Sequence, residues 1–128
     1  MTMRSAVWLL LPILCMFVLQ PVAPGRAAEP LKVIDTGPVD HAVIDGPINM
    51  FYVRFNQPVD HIRSVLMIEH AGRVISTLQP RFDSAPEVLY AASPTLLPGD
   101  YRLRWSVRTI TDKDIFDGAI SFTVKAKR

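Results

Sequence analysis

The sequence predicts an all-β protein, a single immunoglobulin-like Greek-key β-sandwich of about seven strands. Two observations after residue 28 predict this class. Apolar residues alternate with polar ones at a period of two, in short runs separated by turn-forming residues, and no stretch shows a helical stripe of useful length. The chain also has eleven prolines, and the eight that follow residue 28 are nearly all at the ends of predicted strands, where a missing amide donor is best tolerated.

The beginning of the chain has the layout of a secretory signal peptide. Arg4 precedes an apolar run over residues 6–19, and the small pair Ala27 and Ala28 follows. The run is short for a membrane span, which needs about 20 apolar residues. Cleavage after Ala27 makes Ala28 the mature amino terminus, whereas the alternative cleavage after Ala28 places Arg26 where a small residue is preferred.

We therefore predict a signal peptide over residues 1–27 and one domain over 28–128, exported to the periplasm with no membrane span after cleavage. Arg4 and Arg26 leave with the signal, so 12 of the 14 Lys and Arg residues remain, against 12 Asp and Glu. A balanced charge does not suit a nucleic-acid binder. Cys15, the single cysteine, also leaves, which excludes a disulfide or a thiolate metal ligand.

Each predicted strand is identified by its alternation and its boundaries. The clearest is residues 101–108, in which Tyr101, Leu103, Trp105 and Val107 form a buried face that alternates with three arginines and a serine. The stretch 63–79 predicts a hairpin that turns at residues 70–72, because glycine accepts the positive φ of a tight turn. The remaining predicted strands are KVIDTGP (32–38), NMFYVRF (49–55), EVLYAA (87–92) and AISFTVK (119–125).

Short motifs along the domain resemble, in their order, the CopC family of periplasmic copper proteins. The most specific are the blocks LLPGDYRLRW and GAISFTV, which are similar to the family signatures L-x-x-G-x-Y-x-V-x-W and G-x-x-x-F-x-V. The other matching features, in chain order, are Leu31, Pro38, Pro47, VRFNQPV (53–59), the hairpin with Gly72, and an Asp at 112 or 114. The resemblance covers essentially the whole domain and implies a small β-sandwich that binds copper.

The resemblance also implies a set of Cu(II) ligands. In the family these are the mature amino-terminal His and an Asp and a His from a D-G-H turn, and a Glu lies nearby; imidazole and amine nitrogens suit Cu(II). The matching positions here are Ala28, Asp112, Asp114 and Gln57, with Lys113 inside the turn. Only the first Asp is kept, so we expect weak or altered copper binding. The strand-like settings of Met50 and Met67 do not suit a soft Cu(I) site.

Several alternatives stay open for the remaining candidate residues. Asp112 and Asp114 could bind a cation, with copper or Ca²⁺ as the candidates, or they could cap backbone amides in a solvated turn. His41 could take part in a relocated copper site, although the more ordinary interpretation makes His41, His61 and His70 solvent-facing turn residues. Tyr101 and Trp105 share the buried face of their strand and are expected in the core.

The sequence leaves two candidate functions for this protein. Neither is enzymatic, because no catalytic grouping of residues is present. The first is a periplasmic CopC-like domain in copper homeostasis with a degenerate Cu(II) site. The second is a metal-independent interaction module, for which Arg102, Arg104 and Arg108 form a basic row on the wet face of one strand. Its partner would be a membrane copper transporter or another envelope protein.

Overall fold

The computed structural model describes residues 29–111 and 114–126, and in these residues it has eight strands and no helix. The strands are β1 (Val33–Gly37), β2 (Ala42–Ile44), β3 (Met50–Phe55), β4 (Val65–His70), β5 (Arg73–Leu78), β6 (Val88–Ala92), β7 (Gly99–Val107) and β8 (Phe116–Val124). They form a three-stranded sheet in the order β1-β3-β6 and a five-stranded sheet in the order β2-β8-β7-β4-β5. The predicted all-β sandwich is confirmed.

The strand that the sequence analysis missed is β2. It has only three residues and pairs in parallel with the end of β8, with Ala42 opposite Phe122 and Ile44 opposite Val124. All other strand pairs are antiparallel. So short a segment has no readable alternation, and it becomes a strand only because the edge of β8 offers unpaired backbone groups. β8 itself begins three residues earlier than predicted, at Phe116.

The predicted hairpin is present, and its turn consists of two residues between β4 and β5. Ala71 and Gly72 both have positive φ, at 51° and 77°, as a type I′ turn requires. Such a turn matches the twist of the two strands, and it places His70 opposite Arg73. Glycine accepts this conformation freely, whereas alanine adopts it at a cost.

The core lies between the two sheets and is closed by aromatic contacts. Phe122 of the five-stranded sheet contacts Phe51 of the other sheet at a centroid distance of 5.6 Å and stacks on Tyr101 at the same distance. Tyr101 and Trp105 are buried, as predicted. Gly118 lies directly opposite Trp105 on β8, and a Cβ there would lie 2.5 Å from three atoms of the indole ring. The glycine of the GAISFTV block is therefore a packing requirement of the tryptophan.

Strand directions bring a set of loops to one end of the sandwich, which we call the site end. β3 and β7 end there, and β1, β4 and β8 begin there. The described residues of the site end include 29–32, 56–64, 108–111 and 114–115; β5 also ends there and β6 begins there. All positions that the family resemblance associates with copper belong to this end or directly adjoin it in sequence.

Candidate metal site

The side chain of Asn56 fixes the start of the domain at the site end. The main-chain NH of Lys32 donates to Asn56 Oδ1 at 2.9 Å, and Asn56 Nδ2 donates to the carbonyl oxygen of Pro30 at 3.0 Å. The main-chain NH of Asn56 donates in turn to the carbonyl of Lys32 at 3.0 Å. These three hydrogen bonds hold residues 29–32 against the end of β3. The sequence analysis did not single out Asn56.

Gln57 continues this arrangement. Its Nε2 donates to the carbonyl oxygen of Glu29 at 3.0 Å. An amide nitrogen is a hydrogen-bond donor with no basic lone pair, so only Oε1 of this side chain can face a cation. Where the resemblance implies a carboxylate, the chain therefore has a neutral side chain whose nitrogen attaches the amino-terminal segment to the loop.

The loop that follows β3 is joined to the end of β7. Val59 forms an isolated antiparallel bridge with Thr109, and the main-chain NH of Asp60 donates to the carbonyl of Arg108 at 2.8 Å. The main-chain NH of Arg108 donates to Ser64 Oγ at 3.1 Å. The segment containing Gln57 and the segment leading to the acidic turn are thus neighbours, as the resemblance requires of a metal site.

The acidic turn itself is described only in part. Asp112 and Lys113 lie outside the described residues. Asp114 is exposed and precedes the first residue of β8 by two positions. Within residues 29–111 and 114–126, no group of three or more His, Cys, Asp or Glu side chains is arranged to hold a metal ion.

The structure does not bring His41 to the site end. His41 is exposed at the start of β2, in a left-handed conformation with φ of 62°, and its main-chain NH donates to the carbonyl of Ser121 at 2.7 Å. Ser121 follows the first residue of β8 by five positions, which is a distance of about 17 Å along a strand. The imidazole faces Asp40 instead, with Nε2 3.4 Å from Oδ2.

The other two histidines also have identified neighbours. His61 differs from the expectation of a solvent-facing residue, because it is partly buried and its two ring nitrogens lie 3.1 Å and 2.7 Å from the carbonyl oxygens of Val59 and Val88. It connects the loop after β3 to the start of β6. His70 is exposed, as expected, and its ring packs on Tyr101 with a centroid distance of 4.9 Å.

The predicted basic row is partly neutralised by a residue that sequence reasoning missed. Glu69 on β4 lies opposite Arg102 on β7, and only 10% of its side chain is exposed. Arg104 Nη1 bonds Glu69 Oε1, while Arg102 Nη1 lies 4.0 Å from Oε2. This hydrogen bond and the adjacent negative charge raise the pKa of Arg104. Only the register of β4 against β7 reveals the cluster, because Glu69 is more than 30 residues from either arginine in sequence.

Arg108 stands apart from that cluster. It follows the last residue of β7, is partly buried, and belongs to the site end through its main-chain bonds to Ser64 and Asp60. The row of three arginines is therefore not one continuous positive stripe. Two of them share a carboxylate in the middle of the sheet, and the third lies beside the loop that carries Gln57.

Solved structures similar to this fold include a CopC protein and a copper resistance protein. CopC from Methylosinus trichosporium OB3b has a TM-score of 0.66 and 23% sequence identity, and the match covers 74% of this chain and 93% of that chain. PcoC, a methionine-rich copper resistance protein from Escherichia coli, has a TM-score of 0.62 and 17% identity, over 74% of this chain and 98% of that chain. At these identities the two structures support the fold.

A search of curated proteins finds no significant match. In the described part of the chain, no helix is long and apolar enough to cross a membrane. The family profile is more informative, because the CopC domain matches residues 33–125, from the first residue of β1 to the residue after β8. Since this match spans well over half of the 128 residues, the chain belongs to the CopC domain family.

Proposed function

We propose that this protein is a periplasmic CopC-family domain that functions in copper homeostasis and has a degenerate Cu(II) site. Family membership supports a copper-related role, and the PcoC of Escherichia coli, a similar structure, is a copper resistance protein. Proteins of this family are periplasmic, which agrees with the signal peptide predicted over residues 1–27. The proposed role is binding rather than catalysis.

The observation that carries this proposal is the arrangement around Gln57. The side chain at this position is a neutral amide, and its nitrogen donates to Glu29 at the site end. The two positions that match the nitrogen ligands of the family are Ala28 and Asp114, neither of which has an imidazole. The remaining donors are carboxylates and the terminal amine, a set that suits Cu(II) poorly and Cu(I) still less.

A competition titration tests the degenerate site. The mature protein, with its amino terminus verified by mass spectrometry, is titrated with Cu(II) against a chromophoric chelator of known affinity. We expect binding weaker than nanomolar and little selectivity over other divalent ions. One equivalent of Cu(II) held at nanomolar affinity would contradict the proposal.

Two variants separate the possible locations of residual copper binding. Asp114→His restores an imidazole at the turn, and we expect it to tighten Cu(II) binding by about tenfold or more. His41→Ala is the matched control, since His41 lies away from the site end, and it should leave the affinity unchanged. A loss of copper binding in His41→Ala would favour the relocated site.

The cluster of Arg102, Arg104 and Glu69 favours a second candidate function, a metal-independent module that binds another envelope protein, for example a membrane copper transporter. The side chains of Arg102 and Arg104 are 58% and 41% exposed, so both guanidinium groups reach solvent, although Glu69 and the nearby Asp117 offset part of their charge. An acidic partner surface would complement this charge.

Charge reversal tests this second function. Arg102→Glu, which leaves the direct Arg104–Glu69 bond in place, should remove partners that bind the proposed face in pull-down experiments, and the loss should be greater at low ionic strength. Arg73→Glu on the exposed edge strand β5 is the control, because it changes the net charge at another place. Partners retained equally by all variants would count against this face as the interface.

A further inference from the structure

The outer face of the three-stranded sheet carries two aromatic side chains on adjacent strands, in a row that continues to a glycine on the third strand. Gly37 of β1 lies opposite Tyr52 of β3, and Tyr52 lies opposite Tyr90 of β6. The ring of Tyr52 covers Gly37 so closely that any Cβ at residue 37 would collide with it. Tyr52 is nevertheless 36% exposed, so part of its ring faces solvent. The row lies on the opposite side of the molecule from the arginine cluster.

Arg81 extends the row beyond the edge of the sheet. Its main-chain NH donates to the carbonyl of Tyr90 at 2.8 Å, and its guanidinium carbon lies 6.0 Å from the centroid of the Tyr90 ring. A concavity of about 340 Å³ lies beside this ring, lined by Arg81, Asp83, Ser84 and Tyr90. The concavity is open to solvent, so a ligand there would lie along the surface rather than inside the molecule.

The polar groups beside the two tyrosines form two Arg–Asp ion pairs, each of which is electrically neutral. Arg81 binds Asp83 with two hydrogen bonds of 3.1 and 3.0 Å, and Arg54 binds Asp35 on the neighbouring strands. All four side chains are at least 40% exposed. Hydrogen bonding from Arg81 lowers the pKa of Asp83, so this acceptor stays ionised at neutral pH. Strands β1, β3 and β6 contain no lysine or glutamate.

We propose that this face binds a neutral oligosaccharide. The C–H faces of pyranose rings would stack on Tyr52 and Tyr90, and the hydroxyl groups would bond to the paired Arg and Asp side chains, whose donors and acceptors are already oriented. Asp35 and Asp83 disfavour a phosphorylated or acidic ligand. A lipid surface is disfavoured, because it would remove the water that is hydrogen-bonded to both ion pairs and would supply no hydrogen-bond partner in its place. The proposal uses none of the residues of the candidate metal site and does not depend on copper binding.

Titration of the ¹⁵N-labelled mature protein with oligosaccharides provides the direct test, using cellotetraose and N-acetylchitotetraose as probes in a chelator-containing buffer. The expected result is a saturable change in the amide shifts of Tyr52, Tyr90 and Arg81, with none at Arg102 or Arg104 on the other sheet. Absence of shifts at the highest soluble concentration would overturn the proposal. Tighter binding of a heparin fragment than of the neutral sugars would overturn the assigned ligand class.

Variants then test the individual contacts. Tyr90→Ala and Arg81→Ala should each weaken binding by about tenfold. Tyr52→Phe keeps the ring over Gly37 and removes only the hydroxyl group, so retained binding would assign the contact at this residue to the face of the ring. Val74→Ala, on the exposed edge of the other sheet, is the control and should bind as the unaltered protein does. Unchanged affinity in both Tyr90→Ala and Arg81→Ala, or shifts that map to the arginine cluster, would overturn the proposal.

Discussion

The chemistry of single side chains at the candidate sites depends on the groups to which they are hydrogen-bonded. Gln57 is an amide whose nitrogen donates to Glu29, and Arg104 is a cation bonded to a nearly buried carboxylate. Neither property follows from the residue type alone. In both cases a side chain that a sequence motif marks as functional also has a structural partner, and the partner limits the chemistry that remains available to it.

At this scale the structure predicts unequal roles for Arg102 and Arg104. Arg104→Ala removes the direct hydrogen bond to Glu69 and leaves a carboxylate that is only 10% exposed. We expect a measurable but moderate loss in the free energy of unfolding, because the arginine itself is well solvated. Arg102→Ala, whose guanidinium lies 4.0 Å from Glu69, should cost less. Urea unfolding of both variants measures the difference, and equal losses would contradict the assigned geometry.

Gly118 provides a second prediction for a single residue. Gly118→Ala places a methyl group where the ring of Trp105 lies, so we expect a loss of about 1–3 kcal/mol from overpacking. Gly72→Ala is the matched control, because its φ is 77° but nothing lies within 4 Å of the added Cβ. Its smaller cost would report backbone strain alone. A greater loss in Gly72→Ala than in Gly118→Ala would show that Trp105 can move aside.

At the scale of elements, the sandwich depends on how short segments meet. β2 forms only where it can pair with β8, and residues 29–32 are held by the loop that ends β3. The β4–β5 hairpin differs from these, because its turn is local and its sequence already favours it. Elements stabilised by local geometry can be predicted from the sequence, whereas elements stabilised by a distant edge require the assembled fold.

The hairpin gives a prediction at this scale. Asparagine is favoured over alanine at the first turn position, where φ is positive, and Asn-Gly is the preferred pair of a type I′ turn. We expect Ala71→Asn to raise the free energy of unfolding by about 0.5–1 kcal/mol. Ala71→Val is the opposite control and should lower it, since a β-branched residue is strained at positive φ. Thermal unfolding followed by circular dichroism would show whether the two variants shift in opposite directions.

At the scale of the whole molecule, the two sheets are joined by a core in which Phe122 contacts both layers. It meets Phe51 across the sandwich and Tyr101 on its own sheet, and it is 2% exposed. The candidate sites are on separate parts of this body. The metal site lies at one end, the arginine cluster on the outer face of one sheet, and the tyrosine row on the outer face of the other. Each can therefore be altered without changing the others.

The position of Phe122 between the two sheets predicts a large loss of stability when its ring is removed. Phe122→Ala should cost about 3–5 kcal/mol, because it opens a cavity between the sheets. Phe82→Ala is the control: its side chain is 68% exposed, and its loss should change stability little. Chemical denaturation distinguishes the two, and a small loss for Phe122→Ala would mean that the core can collapse around the missing ring.

Local patterns in the sequence are enough to predict the class of fold, all seven of the predicted strands, the hairpin turn and the positions that match the CopC family. These depend on period-two alternation, glycine conformation and motif order, all of which are local properties of the chain. Four features can be seen only in the tertiary structure. They are the pairing of Glu69 with two arginines, the separation of His41 from the site end, the strand β2 and the row from Gly37 to Tyr90. Each depends on the register between strands that are distant in sequence, and register is set by the packing of the whole core.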